Sequence, residues 1–396
     1  MVEFIETTTF SVAVISTSGS RALRQAQESP VEGLNERYTH YFWDSPLFNY
    51  GRQIMKLSFV IPVYNAAEYI GRCLDSLLAQ DIDDFEIICI NDGSKDNSMN
   101  ILREYEKKYA GKFNIISQEN QGIGPARNNA FKTVTGEYTW FIDNDDCIQP
   151  NCLKSVFEVI EKFDADITNV VHLKGYFTEN PFKKNFDGTL TVKKMNQDCA
   201  MYFYEDAPWS KIYKTEFLRK NDLFFPNIFG EDTSITFNLY SKTNKIIKIE
   251  QPLYAWFERK ESFCHAVISE KHFETFPVLL DTLRKQSELC EPRLKVFYDY
   301  LILMKADVYL PVFRNAEVIG KLSILRDECI RKSEKVLASL EQNVFYEIHL
   351  KELETIKAKE NKVRTYYESS TSWKITKPVR NFVQTGKKIA TKLLGK

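Results

Sequence analysis

From Leu57 onward the apolar positions of the chain alternate between short continuous runs and helically spaced sets. Leu57 to Val63 is a β-rich run closing on Pro62-Val-Tyr-Asn65, after which Ile70, Cys73, Leu74, Leu77 and Leu78 recur at helical spacing. Phe85 to Ile90 reads as a second buried strand, followed by the turn Asn91-Asp92-Gly93-Ser94 and a polar helix starting near Asp96. Phe113 to Ser117 reads as a third strand. Gly122 to Gly124 reads as a loop, Pro125 suits the first turn of the next helix, and Gly136 suits its C-terminal cap. A fourth apolar strand, Tyr138 to Ile142, runs directly into Asp143-Asn144-Asp145-Asp146. Strands alternating with helices at this spacing predict an α/β fold with a mostly parallel sheet flanked by helices, where ligands gather beyond the carboxyl ends of the strands. Tyr64-Asn65, Asn91 to Ser94 and Asp143 to Asp146 occupy three such ends and are expected to line one crevice.

From about Asp164 the pattern is mixed. Strands are expected at Ile167 to Val171, Trp209 to Tyr213 and Tyr254 to Phe257, with a loop over Thr178 to Gly188. Phe229-Gly-Glu231-Asp232 leads into an amphipathic segment with Ile235, Leu239 and Tyr240, and beyond His272 the apolar spacing is helical almost to the end. The expected organisation is a poorly structured leader over 1–54, an α/β domain over 55–268 and a helical C-terminal extension over 269–396. Within the domain, a nucleotide-binding half would span about 55–165 and an acceptor half about 166–268. Residues 373–396 hold seven basic side chains and no acidic one. Their apolar members suit peripheral contact with an anionic membrane, where each surface charge contributes about 1 kcal/mol. The alternative is a solvated helix packed on its own domain.

Composition narrows the class. The 396 residues carry a formal net charge of −1, so nothing in the overall balance argues for a nucleic-acid partner. The eight cysteines include no Cys-x-x-Cys pair and mostly sit in apolar patterns, which favours reduced core thiols in a cytoplasmic protein. Cys147 and Cys152 have no histidine within ten residues, against a zinc site. No run approaches the length of a spanning helix, and Phe10 to Ile15 is preceded by Glu3 and Glu6, against a secretory signal.

The acidic turn is the strongest chemical signal. Carboxylates this close repel one another unless a hard cation or several donors offset them, and Mg²⁺ commonly reaches a protein through one or two carboxylates plus substrate phosphates. An ordinary Asp-rich turn is the bland alternative. Asp92 at a strand end can accept a base N–H, or it can simply form the turn before Gly93. Arg127 lies near the start of a helix after a Gly-rich loop, where anionic ligand groups are favoured. Glu231-Asp232 at a helix start offers a carboxylate base, although acidic residues also settle there for dipole and capping reasons.

Taken in order, Val60-Ile-Pro-Val-Tyr-Asn65, Ile90-Asn-Asp-Gly-Ser94, Asn120-x-Gly122 with Ala126-Arg127-Asn128, Phe141-Ile-Asp-Asn-Asp-Asp146 and Glu231-Asp232 resemble the bacterial family 2 inverting glycosyltransferases, over roughly Met55 to Val267. The resemblance implies a GT-A fold that binds a nucleotide sugar, usually a UDP-sugar, with Mg²⁺ or Mn²⁺. It implies donor binding by Pro62, Tyr64, Asn65, Asp92, Arg127 and Asp143, with Asp92 at the base and Asp143 near the ribose. It also implies Asp145 on the metal, Asp232 as general base, and Trp209, Lys211 and Glu231 beside the acceptor. One departure stands out: relatives often carry Tyr-x-Arg after the last strand, whereas here Phe257 holds the Arg position and Arg259 is displaced. The ending Ser372 to Arg380 resembles tails of surface-polysaccharide transferases, in keeping with the cytoplasmic face of the inner membrane.

The expected function is therefore metal-dependent transfer of a sugar from a UDP-sugar to a hydroxyl of a bacterial surface glycan or lipid-linked acceptor, with inversion. A nucleotidyltransferase would need a basic Gly-rich phosphate loop where Pro62-Val-Tyr-Asn65 stands. A non-catalytic sugar-nucleotide-binding protein on the same fold is the other alternative.

Overall fold

The computed structural model describes residues 55–182, 186–202, 206–258 and 269–340. The expected leader, Arg259 and the basic tail lie outside the described residues. Among the described residues nine strands form one sheet: β1 (Leu57–Val63), β2 (Phe85–Asp92), β3 (Phe113–Gln118), β4 (Tyr138–Phe141), β5 (Cys147–Ile148), β6 (Ile167–Gly175), β7 (Val192–Met195), β8 (Lys211–Lys214) and β9 (Ile246–Phe257). The helices are α1 (Ile70–Leu78), α2 (Ser98–Lys108), α3 (Ile123–Phe131), α4 (Leu153–Phe163), α5 (Gln197–Tyr202), α6 (Thr215–Lys220), α7 (Glu231–Tyr240), α8 (Glu270–Leu289), α9 (Lys295–Arg314) and α10 (Lys321–Leu337).

The strand order is β3-β2-β1-β4-β8-β6-β9-β5, with β7 paired to β9. Along β3-β2-β1-β4 the pairing is parallel, as expected. It then turns antiparallel at β4-β8 and β8-β6, and β6 runs parallel to β9, so the sheet as a whole is mixed. A continuous apolar run fits β1 because every residue of that strand is buried between two covered faces.

Side-chain alternation along β1 and β2 divides the interior into two layers. Val60, Ile88 and Ile90 face one layer with Ala126 and Ala130 of α3 and Phe273, Phe276, Leu301 and Phe313 of α8 and α9. Phe59, Ile61, Ile87 and Cys89 face the other, against Ile70, Cys73, Leu74 and Leu77 of α1, Leu102 of α2 and Leu153, Val156 and Phe157 of α4. The described part of the helical C-terminal region thus shares an apolar layer with the sheet. Cys73, Cys89, Cys147, Cys152, Cys290 and Cys329 are free thiols, all of them buried except Cys290.

Local readings differ from the sequence pattern at several points. α3 ends at Phe131 with Lys132 at its C-cap, so Gly136 does not cap it. Pro208–Ser210 is a 3₁₀ turn and the strand begins only at Lys211, because Pro208 fixes φ and removes a ladder donor. β6 continues beyond Val171 to Gly175, with register shifts around Val171 where it passes β9. The two-residue β5 and the short β7 leave no period to read.

Candidate active site

Pro62, Asn65, Asp92 and Asp143 come together because β1 lies between β2 and β4, all pointing the same way. The Pro62 carbonyl accepts from Asn144 Nδ2 at 2.8 Å, which ties β1 to the acidic turn. Asn65, with φ +47°, donates its backbone N–H to Ser94 Oγ at 3.1 Å and accepts from Lys95 N at 2.8 Å. Tyr64 is exposed at the rim. Gly93 has φ +72°, and a Cβ there would lie 2.9 Å from Asn120 N, so glycine is required on both counts.

Asp92 is buried and well used. Its Oδ1 accepts from Gln118 Nε2 at 2.7 Å and Gln121 N at 2.9 Å, and its Oδ2 accepts from Gly122 N at 2.9 Å. One carboxylate therefore fixes the loop that opens α3.

The acidic turn separates into three environments. Asp146 is fully buried, with Oδ2 accepting from Tyr254 Oη at 2.6 Å and Oδ1 from Phe257 N at 2.9 Å. Burial pushes its pKa well up, and the charges of Asp145 and Asp143 add to the rise. Asp143 instead faces Arg127, while its backbone N–H donates to Tyr254 Oη at 3.2 Å. Asp145 has its backbone carbonyl held by Arg72 Nη2 at 2.6 Å. Among the described residues no group of three or more His, Cys, Asp or Glu side chains has the arrangement of a metal site. Asp145 and Asp143 carry hard carboxylate oxygens, a donor type suited to Mg²⁺ or Mn²⁺.

Arg127 joins the two halves. Its Nη2 donates to Asp143 Oδ1 at 3.0 Å and its Nη1 to Glu231 Oε1 at 3.1 Å, while its Nε has no hydrogen-bond partner. Burial works against the guanidinium's charge, but Asp143, Glu231 and Asp232 overcome it and raise its pKa. Glu231 opens α7 after Gly230, whose φ is +71°, as the sequence led us to expect. Burial raises the pKa of Glu231 despite Arg127. Next to it, Asp232 accepts from Thr233 N at 2.8 Å. Its pKa is pushed well up by burial, then by Glu231 and Asp206, against the pull of Lys305 and Arg127.

Two of the acceptor-side residues face inward. Lys211 is fully buried, with Nζ donating to the Ala207 carbonyl at 2.9 Å and Ser210 Oγ at 2.8 Å. Trp209 stacks on Tyr254 with centroids 4.5 Å apart, and its carbonyl accepts from Trp140 Nε1 at 2.6 Å. Arg72 and Tyr254 were missed by sequence reasoning. Arg72 lies with its guanidinium carbon 3.7 Å from the ring centroid of Phe257, so a cation does reach the position where β9 lacks arginine, but it comes from α1. Phe257 in the place of the expected arginine was the available signal.

Polar strand ends gathered at one edge of the sheet thus face an acidic helix start, on a fold of the GT-A type. Residues 58–233 match the family model described as glycosyl transferase family 2. The chain is 37% identical over 201 residues to a poly(ribitol-phosphate) β-glucosyltransferase of Bacillus spizizenii, covering 48% of this chain and 30% of that protein. It is 30% identical over 212 residues to the poly(ribitol-phosphate) β-N-acetylglucosaminyltransferase TarS of Staphylococcus aureus, covering 52% of this chain and 36% of that protein. The alignments thus span about a third of these relatives' own lengths. The crystal structure of S. aureus TarS 1-349 in complex with UDP-GlcNAc aligns with a TM-score of 0.50 and 23% identity, covering 72% of this chain and 91% of that one. No described helix is long and apolar enough to cross a membrane.

Proposed function

We propose that this protein transfers a sugar from a UDP-sugar to a hydroxyl of a bacterial surface glycan, with inversion and with Asp232 as general base. The observation that carries this reading is the Arg127 bridge, which sets Asp143 at the tip of β4 against Glu231, the residue preceding Asp232. Inversion needs one carboxylate to take the acceptor proton while the nucleotide diphosphate leaves from the opposite face of the sugar. A raised pKa suits that task, since a stronger base captures the proton more readily near neutral pH. Pro62, Tyr64, Asn65, Asp92, Arg127 and Asp143 form the donor side in this reading. Asp145 is the residue that would hold Mg²⁺ or Mn²⁺, which when bound offsets charge on the leaving diphosphate. Trp209 and Lys211 support the acceptor side from behind, consistent with their burial.

The relatives' names make poly(ribitol phosphate) the first acceptor to test, with UDP-glucose and UDP-GlcNAc as donors. A lipid-linked acceptor is the second. Peripheral contact of 373–396 with the cytoplasmic membrane face belongs to the same proposal, and deletion after Ser372 should lower binding to anionic vesicles. The deciding experiment compares Asp232→Asn with Asp145→Asn by titration calorimetry and UDP release. Asp232→Asn should retain donor affinity and lose transfer, whereas Asp145→Asn should lose metal-dependent donor binding. Normal turnover by Asp232→Asn would remove the proposed base.

A further inference from the structure

Asp206 lies where the helical C-terminal region meets the start of α7. Its Oδ2 accepts from Lys305 Nζ of α9 at 2.6 Å and from Thr233 Oγ1 at 2.9 Å. Its carbonyl accepts from Thr236 Oγ1 at 2.7 Å. Thr233 and Thr236 are buried and follow Asp232 directly in α7, and Thr233 N donates to Asp232 Oδ1 at 2.8 Å. A chain of short polar contacts thus runs from Lys305 through Asp206 and Thr233 to Asp232.

We propose that Asp206 and Lys305 are a positioning pair for Asp232: Asp206 fixes the first turn of α7 through Thr233 and Thr236, and Lys305 secures Asp206 from α9. The inference rests on the reading of Asp232 as base. Positioning to within a fraction of an ångström matters because a displacement of about 1 Å can cost about a hundredfold in rate.

The electrostatics run in the same direction. Burial works against ionised Asp206, but Lys305 more than offsets it, with help from Thr233 and Lys211, and holds its carboxyl below the ordinary range. Ionised Asp206 raises the pKa of Asp232 and Lys305 lowers it. The other groups facing Asp232 are Glu231 on its own helix, Arg127 from α3 and the Tyr213 phenol from β8. Removing the cation and removing the neighbouring carboxylate must therefore move the protonation of Asp232 in opposite directions.

The test uses the full chain, with UDP release from UDP-glucose or UDP-GlcNAc measured against pH, with poly(ribitol phosphate) and with water alone as acceptor. Lys305→Met should lower kcat by about tenfold to a hundredfold and shift the acidic limb of the profile to higher pH. Lys305→Arg should recover most of the rate. Asp206→Asn keeps the shape, and its limb should shift to lower pH. Donor KM should stay within about twofold throughout, as expected of a pair that acts through Thr233 and Thr236 of α7. Asp206→Asn and Lys305→Arg give the answer if Lys305→Met fails to fold, as thermal denaturation would reveal. Limbs that do not move, or that move the same way in Lys305→Met and Asp206→Asn, would overturn the pairing. Normal transfer by Asp232→Asn would instead remove the base reading itself, so the two failures are distinguishable.

Discussion

Arg127 and Glu231 meet at 3.1 Å across a sequence separation of 104 residues, and the same guanidinium holds Asp143 at 3.0 Å. A single cation thus sets the tip of β4 against the start of α7. Its side chain is 3% exposed, against 27% for Asp143 and 14% for Glu231.

Arg127→Met should leave two carboxylates facing each other without a cation. The expected cost is about 2 to 3 kcal/mol, below that of a fully buried pair because Asp143 keeps some solvent. Arg127→Lys should restore little, since one ammonium cannot reproduce the fork. Urea denaturation of the three proteins checks both statements.

Asp232→Asn should be more stable than the parent at neutral pH while being inactive. The native pKa of Asp232 is raised, so ionising it costs folding free energy as pH rises from the ordinary carboxylate value towards the raised one. Below the ordinary value both states are protonated and the difference should vanish. Thermal denaturation across pH 4 to 8 measures it, with a gain that grows towards the upper end. For activity the sign is opposite, because the ionised form is the base and the rate should fall as pH is lowered through the raised value.

How much of this site was legible depends on whether neighbours in sequence carried it. β1, β2 and β4 announced themselves as apolar runs, and their polar ends converge because parallel neighbours end on the same edge. The start of α7 at Glu231 was visible from Gly230-Glu-Asp. Arg72, Asp206 and Lys305 were not, because a charged residue on an amphipathic helix or in a polar loop looks like ordinary surface until a distant partner is known. Nor could three adjacent carboxylates be told apart by pattern: the turn sends Asp146 to Tyr254 and Asp143 to Arg127.

Tyr254→Phe tests that division. The phenol accepts from Asp143 N and donates to Asp146, so its loss leaves a buried carboxylate short of a donor. A cost of about 1 to 3 kcal/mol is expected, together with weaker donor binding by calorimetry.

Arg72→Met should leave the fold nearly unchanged and weaken the donor side. It removes the bond to the Asp145 carbonyl and the stack on Phe257, worth about 1 kcal/mol each. A raised KM for the UDP-sugar, with Tm lowered by a few degrees, is the outcome to seek in steady-state kinetics and calorimetry.

Asp92 carries a final consequence for which nucleobase can be seated. A carboxylate has about four lone-pair positions. Gln118, Gln121 and Gly122 take three of them here. A pyrimidine edge presenting a single imino hydrogen can use the one left over, with the loop undisturbed. On the proposed reading, in which Asp92 meets the base, a guanine edge with two hydrogens side by side would have to evict either the glutamine amide or a main-chain donor, so nucleotide choice and loop conformation would rest on the same oxygen atoms.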